Sequence, residues 1–251
     1  MPLFFLFIIG LSIGSFLNVL IDRLPKRQSI RGRSYCDNCK KQIKNIDLIP
    51  IFSFFALKGK CRFCHKKISL QYPLIELLTG IIFVSSFLLM KDSEIIIRIL
   101  NLAIISAFIV IFFSDLKYQI IPDEVILFTF VISIFLLIFK NITLEQIAFQ
   151  LLEGTIIAFP IFLIYFISKG KSMGFGDVKL TFVIGFLLGL QKGIISLYIA
   201  FIIGAVIGIF LMIFKNKTMK SKVALGPFLV FGAFIVFLID KVSDFVIVFF
   251  Q

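Results

Sequence analysis

The sequence predicts an all-α, polytopic membrane protein of about eight transmembrane helices that carries one small, cysteine-bearing polar insert. Three observations predict it. Sixty per cent of the 251 residues are hydrophobic and only 16% are charged. The apolar residues fall in blocks near the roughly 20 residues that a helix needs to cross a hydrocarbon core of about 30 Å. The only sizeable polar segment, residues 22–72, holds all four cysteines.

The blocks place spans over 2–21, 73–90, 95–114, 125–139, 147–168, 178–190, 193–214 and 227–250. The fourth and sixth are short, and the last is interrupted by Asp240, Lys241 and Asp244. The N-terminal block resembles a signal peptide in apolarity. It lacks a basic leading region and runs on through Ile21, so it reads as a retained first span. No internal repeat is evident.

Positive charge sets the orientation. The loops after the first, third, fifth and seventh spans, with their flanks, hold 21 Lys and Arg, among them Lys117, Lys169, Lys171, Lys215, Lys217, Lys220 and Lys222. The alternate loops hold 4: Lys91, Arg98, Lys140 and Lys192. The first set is therefore expected in the cytoplasm, with both termini outside. A net charge of +12 would suggest a nucleic-acid partner in a soluble chain. Here topology signalling accounts for it, and no nucleic acid is expected.

The polar insert is too short and too basic to bury much core, so it needs a staple. Cys36-Asp37-Asn38-Cys39 and Cys61-Arg62-Phe63-Cys64 are two C-x-x-C knuckles 21 residues apart, each able to offer two thiolates to one tetrahedral ion. In a cytoplasmic segment this favours structural Zn²⁺ over disulfides, and four sulfur ligands leave no position for a reactive water. The insert is thus expected to be a zinc-knuckle module. Its stretch Ile49–Leu57 is too short to span and is expected to lie on the membrane surface or against the bundle. His65 is the sole histidine and follows a knuckle, which argues against Ser-His or Cys-His nucleophile chemistry.

Carboxylates at the edges of spans mark function more often than those in loops. Asp115 closes the third span and Asp177 opens the sixth within Gly174-Phe175-Gly176-Asp177, and both ends reach the same predicted face. Two carboxylates sharing one site cannot both ionise easily, so one can hold a proton while the other accepts a proton from water. Gly174 and Gly176 would permit a tight turn and close approach of a substrate backbone. The alternative is that Asp177 only caps its helix and Asp115 is only the first solvated residue after a span.

Six runs resemble, in order, the type IV prepilin peptidase family. They are Gly14–Pro25, Arg33–Cys36 leading into the knuckles, Tyr72–Gly80, Phe112–Asp123, Gly174–Asp177 and Ala224–Phe228. The resemblance covers almost the whole chain. It implies an enzyme of the bacterial cytoplasmic membrane that cleaves the basic leader of prepilins and pseudopilins at the cytoplasmic face. It further implies N-methylation of the new N-terminus with S-adenosylmethionine. Carried over, Asp115 and Asp177 are the catalytic pair and the four Cys hold zinc in a methylation-associated insert, residues 22–72. Residues 1–21 then form the first transmembrane helix and 73–251 the peptidase domain. Asp22, Glu76, Asp123 and Glu124 are expected to steer the basic leader, and Glu76 is the candidate contact for S-adenosylmethionine, or else a partner of Arg23 or Arg33. A transporter would place acids near mid-span and show inverted repeats. Only Glu153 and Asp240 approach mid-span. The oligomeric state is not readable from these residues.

Overall fold

A computed structural model describes residues 2–90, 93–215 and 224–249. Of the charges read above, Lys91, Lys217, Lys220 and Lys222 lie outside the described residues, as do the side chains of Lys215, Asp240, Lys241 and Asp244. Helices form at each predicted block. They are α1 (Pro2–Arg23), α3 (Gln71–Leu89), α4 (Ile95–Tyr118), α5 (Asp123–Phe139), α6 (Leu144–Ser168), α7 (Phe175–Leu188), α8 (Leu190–Lys215) and α9 (Gly226–Phe249), with a five-residue α2 (Phe52–Ala56) inside the insert. Five of them, α1, α3, α4, α6 and α8, are long and apolar enough to cross a membrane. Helix α5 has 17 residues and α7 only 14, and the apolar part of α9 is the shorter stretch Gly226–Leu238. The structure thus supports a membrane-spanning helical protein with five clear spans among the described residues.

The chain forms two compact units, Met1–Lys91 and Asp92–Gln251. This division differs from one drawn by polarity, because α3 packs on α1 across the insert. The reason is close backbone approach. A Cβ at Gly10 would lie 2.8 Å from the Gly80 Cα, and one at Gly14 would lie 2.7 Å from the Glu76 Cα. Small residues at such crossings let antiparallel helices gain dispersion contacts where lipid supplies no hydrophobic drive.

In the second unit, α7 is central and packs against α5, α6, α8 and α9. It buries Val178, Leu180, Thr181, Val183, Ile184, Gly185 and Phe186 against its neighbours. The α6–α7 crossing again relies on glycines, with the Gly154 Cα 2.9 Å from where a Cβ at Gly185 would sit. Two hydroxyls inside the bundle are satisfied by the preceding turn of their own helix. The hydroxyls of Thr129 and Ser133 donate to the carbonyls of Val125 and Thr129 at 2.7 Å, as a site without water requires.

Gly185→Leu should therefore cost about 1–3 kcal/mol, since the backbone opposite cannot yield. Gly208→Leu, where a Cβ meets nothing within 4 Å, should cost little. Thermal loss of helical circular dichroism in detergent distinguishes the two, and equal melting would refute the packing argument.

Candidate active site and metal centre

The last turn of α4 carries Asp115, which is 5% exposed. The helix ends where Gln119 adopts a left-handed backbone (φ 53°) and donates its N–H to the Asp115 carbonyl at 2.9 Å. The chain then turns through Ile121 and Pro122, which fixes an extended entry into α5. The Asp115 carboxylate Oδ2 accepts the backbone N–H of Gly226 at 2.9 Å, so the first residue of α9 is tied to the last turn of α4. A helix N-terminus has unpaired donors, and this carboxylate takes one of them.

Asp177 sits in the first turn of α7. Its Oδ2 accepts the Gly174 N–H at 3.1 Å, while the Asp177 N–H donates to the Gly174 carbonyl at 3.2 Å. Asp177 does cap its helix, with one carboxylate oxygen. Ile121 joins the two motifs. Its Cδ1 would lie 3.1 Å from a Cβ at Gly226, and its Cβ 3.3 Å from a Cβ at Gly176. The carboxylates of Asp115 and Asp177 are near enough for their charges to interact.

The predicted reason for the two glycines needs correction. Gly174 has φ −79° and ψ 151°, which any residue adopts, and neither glycine is left-handed. At Gly176 the constraint is space, since a Cβ there would press on the Ile121 side chain at 3.3 Å. A Cβ at Gly174 would meet only the Asp177 Oδ2, at an ordinary 3.5 Å.

In the insert, the two knuckles repeat one local design. The Cys36 carbonyl accepts from the Lys40 N–H and the Cys61 carbonyl from the His65 N–H, at 2.8 and 3.0 Å. Lys40 and His65, each following the second cysteine, share a left-handed backbone (φ 56° and 55°). Each knuckle closes on itself through an isolated antiparallel bridge, Tyr35 with Gln42 and Lys60 with Lys67. The four sulfur atoms lie within 4.8 Å of one another. Zn–S bonds of about 2.3 Å put sulfurs of a tetrahedral site about 3.8 Å apart, and Cys36 Sγ lies 3.9 Å from Cys64 Sγ. The donor set fits one metal ion. Arg62 of the second knuckle makes two hydrogen bonds to Asp47, and this guanidinium holds the Asp47 carboxyl below its usual range. Asp47 is thus a structural partner rather than a solvated loop acid.

Residues 8–90 match the profile of the bacterial peptidase A24 N-terminal domain, and residues 102–209 that of the type IV leader peptidase family. The prepilin leader peptidase/N-methyltransferase of Klebsiella pneumoniae is 32% identical over 196 residues, 74% of this chain and 85% of its own length. The chain belongs to the type IV leader peptidase family. Proteins of the same name from Bacillus subtilis (strain 168) and Aeromonas hydrophila are each 29% identical. The first match covers 96% of both chains, the second 92% of this chain and 89% of the relative. No solved structure matches at a significant level.

Other residues singled out in this family member are already engaged. Asp123 is 69% exposed on its side chain and pairs with Lys179 at 2.8 Å, joining α5 to α7; Glu124 beside it is exposed. Asp22 accepts the Tyr72 hydroxyl at 2.7 Å. Glu76 is 8% exposed and accepts the Ile51 N–H at 2.7 Å. Arg23 donates instead to the carbonyls of Ser29 and Arg33, at 3.1 and 3.3 Å. Two residues carry the site without having been assigned a role from sequence, Gly226 and Ile121. The Ala224–Phe228 run was the signal for the first. Nothing local marks Ile121 beyond its place before Pro122.

A Cβ at Gly226 would lie 2.7 Å from the Asp115 Oδ2. Gly226→Ala should therefore destabilise the wild-type background and cost less in Asp115→Ala, a coupling of about 1 kcal/mol in thermal unfolding. Additive effects would show that this contact does not hold α9 to α4.

Proposed function

We propose that this chain is a prepilin leader peptidase in which Asp115 and Asp177 activate water for peptide cleavage. The observation that carries this reading is the pair of carboxylates near enough for their charges to interact, one at the end of α4 and one at the start of α7. The names of the relatives and the order of six motifs add to it.

The chemistry needs only carboxylates and water. One carboxylate accepts a proton from water as its oxygen attacks the scissile carbonyl carbon, and the other, protonated, donates to the carbonyl oxygen. The tetrahedral intermediate then collapses, the C–N bond breaks, and the carboxyl that took the proton returns it to the leaving amine. Gly226 and Gly174 donate to Oδ2 of Asp115 and Asp177 respectively, and so fix which edge of each carboxylate faces the reaction.

The substrates in this reading are prepilins and pseudopilins with a short basic leader. The bias of 21 against 4 positive residues supports a cytoplasmic insert and dyad in a bacterial cytoplasmic membrane. In domain terms the reading keeps residues 1–21 as a first span, 22–72 as the insert and 73–251 as the peptidase region. Gly174, Gly176, Asp123 and Glu124 would border the bound peptide. Zn²⁺ is the ion that four thiolates on two knuckles suit best, held by Cys36, Cys39, Cys61 and Cys64 as a staple for the insert.

N-methyltransferase is part of the relatives' printed name, and S-adenosylmethionine is the methyl donor expected for it. The Glu76 carboxylate does not fit the contact expected of it, because it is buried and bonded to the Ile51 amide. Transfer of a labelled methyl group to cleaved substrate separates a bifunctional enzyme from a peptidase alone.

Asp115→Asn and Asp177→Asn, each at normal membrane abundance, should both lower cleavage of a co-expressed prepilin by roughly a thousand-fold or more. Normal cleavage by either variant would refute the paired-carboxylate mechanism. Purified protein should contain one zinc per chain by elemental analysis, and Cys61→Ser should lose it. Full zinc in that variant would remove the knuckles as its site.

A further inference from the structure

The insert holds an apolar surface that neither the dyad nor the metal centre uses. A single-turn bend, Asn45–Leu48, leads into α2, and along these two pieces Ile46, Leu48, Ile49, Phe52 and Phe55 are exposed. Phe52 and Phe55, three residues apart, share one face of α2 and are 64% and 71% exposed. Phe54 turns the other way, toward Gly59, where a Cβ would lie 3.1 Å from its ring. Lys44, Lys58 and Lys60 around the patch are exposed, and the nearby acid, Asp47, is taken by Arg62.

The level of this surface is fixed by one bond. Ile51 has φ 62° and ψ −53°, and the Phe52 N–H donates to the Pro50 carbonyl at 2.5 Å. That is a γ-turn of the strained, positive-φ kind, and it is centred on a β-branched residue. Such a turn persists only where its surroundings hold it. Here the Ile51 N–H donates to the buried Glu76 carboxylate. Glu76 lies five residues into α3 and against Gly14, nine residues before the end of α1. At 1.5 Å per residue, the turn is held about 7 Å inside the start of α3 and about 13 Å inside the end of α1. Both helices are apolar enough to span.

We propose that the Ile46–Phe55 segment is a membrane-inserted keel. Its apolar face enters the boundary between headgroups and acyl chains, its lysines meet anionic headgroups, and Glu76 is the positioning residue that sets its depth. Amphipathic segments lie about 5–10 Å into that boundary. The depth of about 7 Å counted from the start of α3 falls in that range. The count from the end of α1, whose last residues Asp22 and Arg23 are charged, runs deeper. The inference goes beyond the peptidase reading and does not depend on it.

The chain contains no tryptophan, so Phe55→Trp provides a single fluorescent reporter in the full protein. The variant is reconstituted in vesicles of phosphatidylcholine and phosphatidylglycerol. Its emission should be blue-shifted, should lose most of its intensity when the lipids carry bromine near the glycerol end of their acyl chains, and should resist aqueous acrylamide. Phe52→Trp should behave alike. Strong acrylamide quenching without bromolipid quenching would overturn the proposal, as would protection from both quenchers, which marks a protein cover such as a second copy. Adding Glu76→Ala should shift quenching from bromolipid toward acrylamide. Glu76→Gln, which keeps a carbonyl acceptor for the Ile51 N–H, should leave most of the bromolipid quenching in place. An unchanged balance in Glu76→Ala, or an equal loss in Glu76→Gln, would remove the Glu76 bond as the depth setter.

Discussion

Within a bilayer a helix satisfies its own backbone everywhere except at its ends, where the first N–H groups and last C=O groups lack partners. The candidate active site is built from such ends. The last turn of α4, the first turn of α7 and the first residue of α9 meet around Ile121, and each carboxylate accepts an amide that its own or another helix start would otherwise leave unpaired. The acids therefore serve the architecture, and in the proposed mechanism they serve the chemistry as well. This explains why they sit at the edges of apolar runs, where a charged group can be held without being carried to the middle of the membrane.

The glycines follow from the same economy of space. At Gly154 and Gly185, and at Gly10, Gly14 and Gly80, they let backbones approach within contact distance. At Gly176 and Gly226 they make room for Ile121 and the Asp115 carboxylate. None of these contacts depends on a left-handed backbone. At Gly174-Phe175-Gly176 the backbone conformation does not call for glycine, and the close neighbour of Gly176 is Ile121. A sequence does not display what stands opposite a missing side chain.

Much of the design was legible along the chain. The apolar blocks gave the helices nearly to their ends, because a bilayer imposes length and apolarity locally. The paired knuckles gave the four-cysteine cluster that fits a metal ion, because its members come in adjacent pairs. The motif order gave the family. Less legible was α7, whose 14 residues look like a weak span and form the buried centre of the second unit. The partner of Glu76 was out of reach too. Its acceptor role depends on the Ile51 amide, 25 residues away and in a backbone conformation that no isoleucine advertises.

By itself the sequence determined that the chain is helical and membrane-spanning, that its four cysteines form one cluster, and which acids stand at span edges, since each of these follows from local composition or short spacing. Only the tertiary structure decided that α3 belongs with α1, that Gly226 holds Asp115 across 111 residues, and that Ile121 fills the space between the two acidic motifs. These depend on backbones meeting across helix crossings, where the deciding quantity is the volume left by neighbours, and residue identity alone does not carry it.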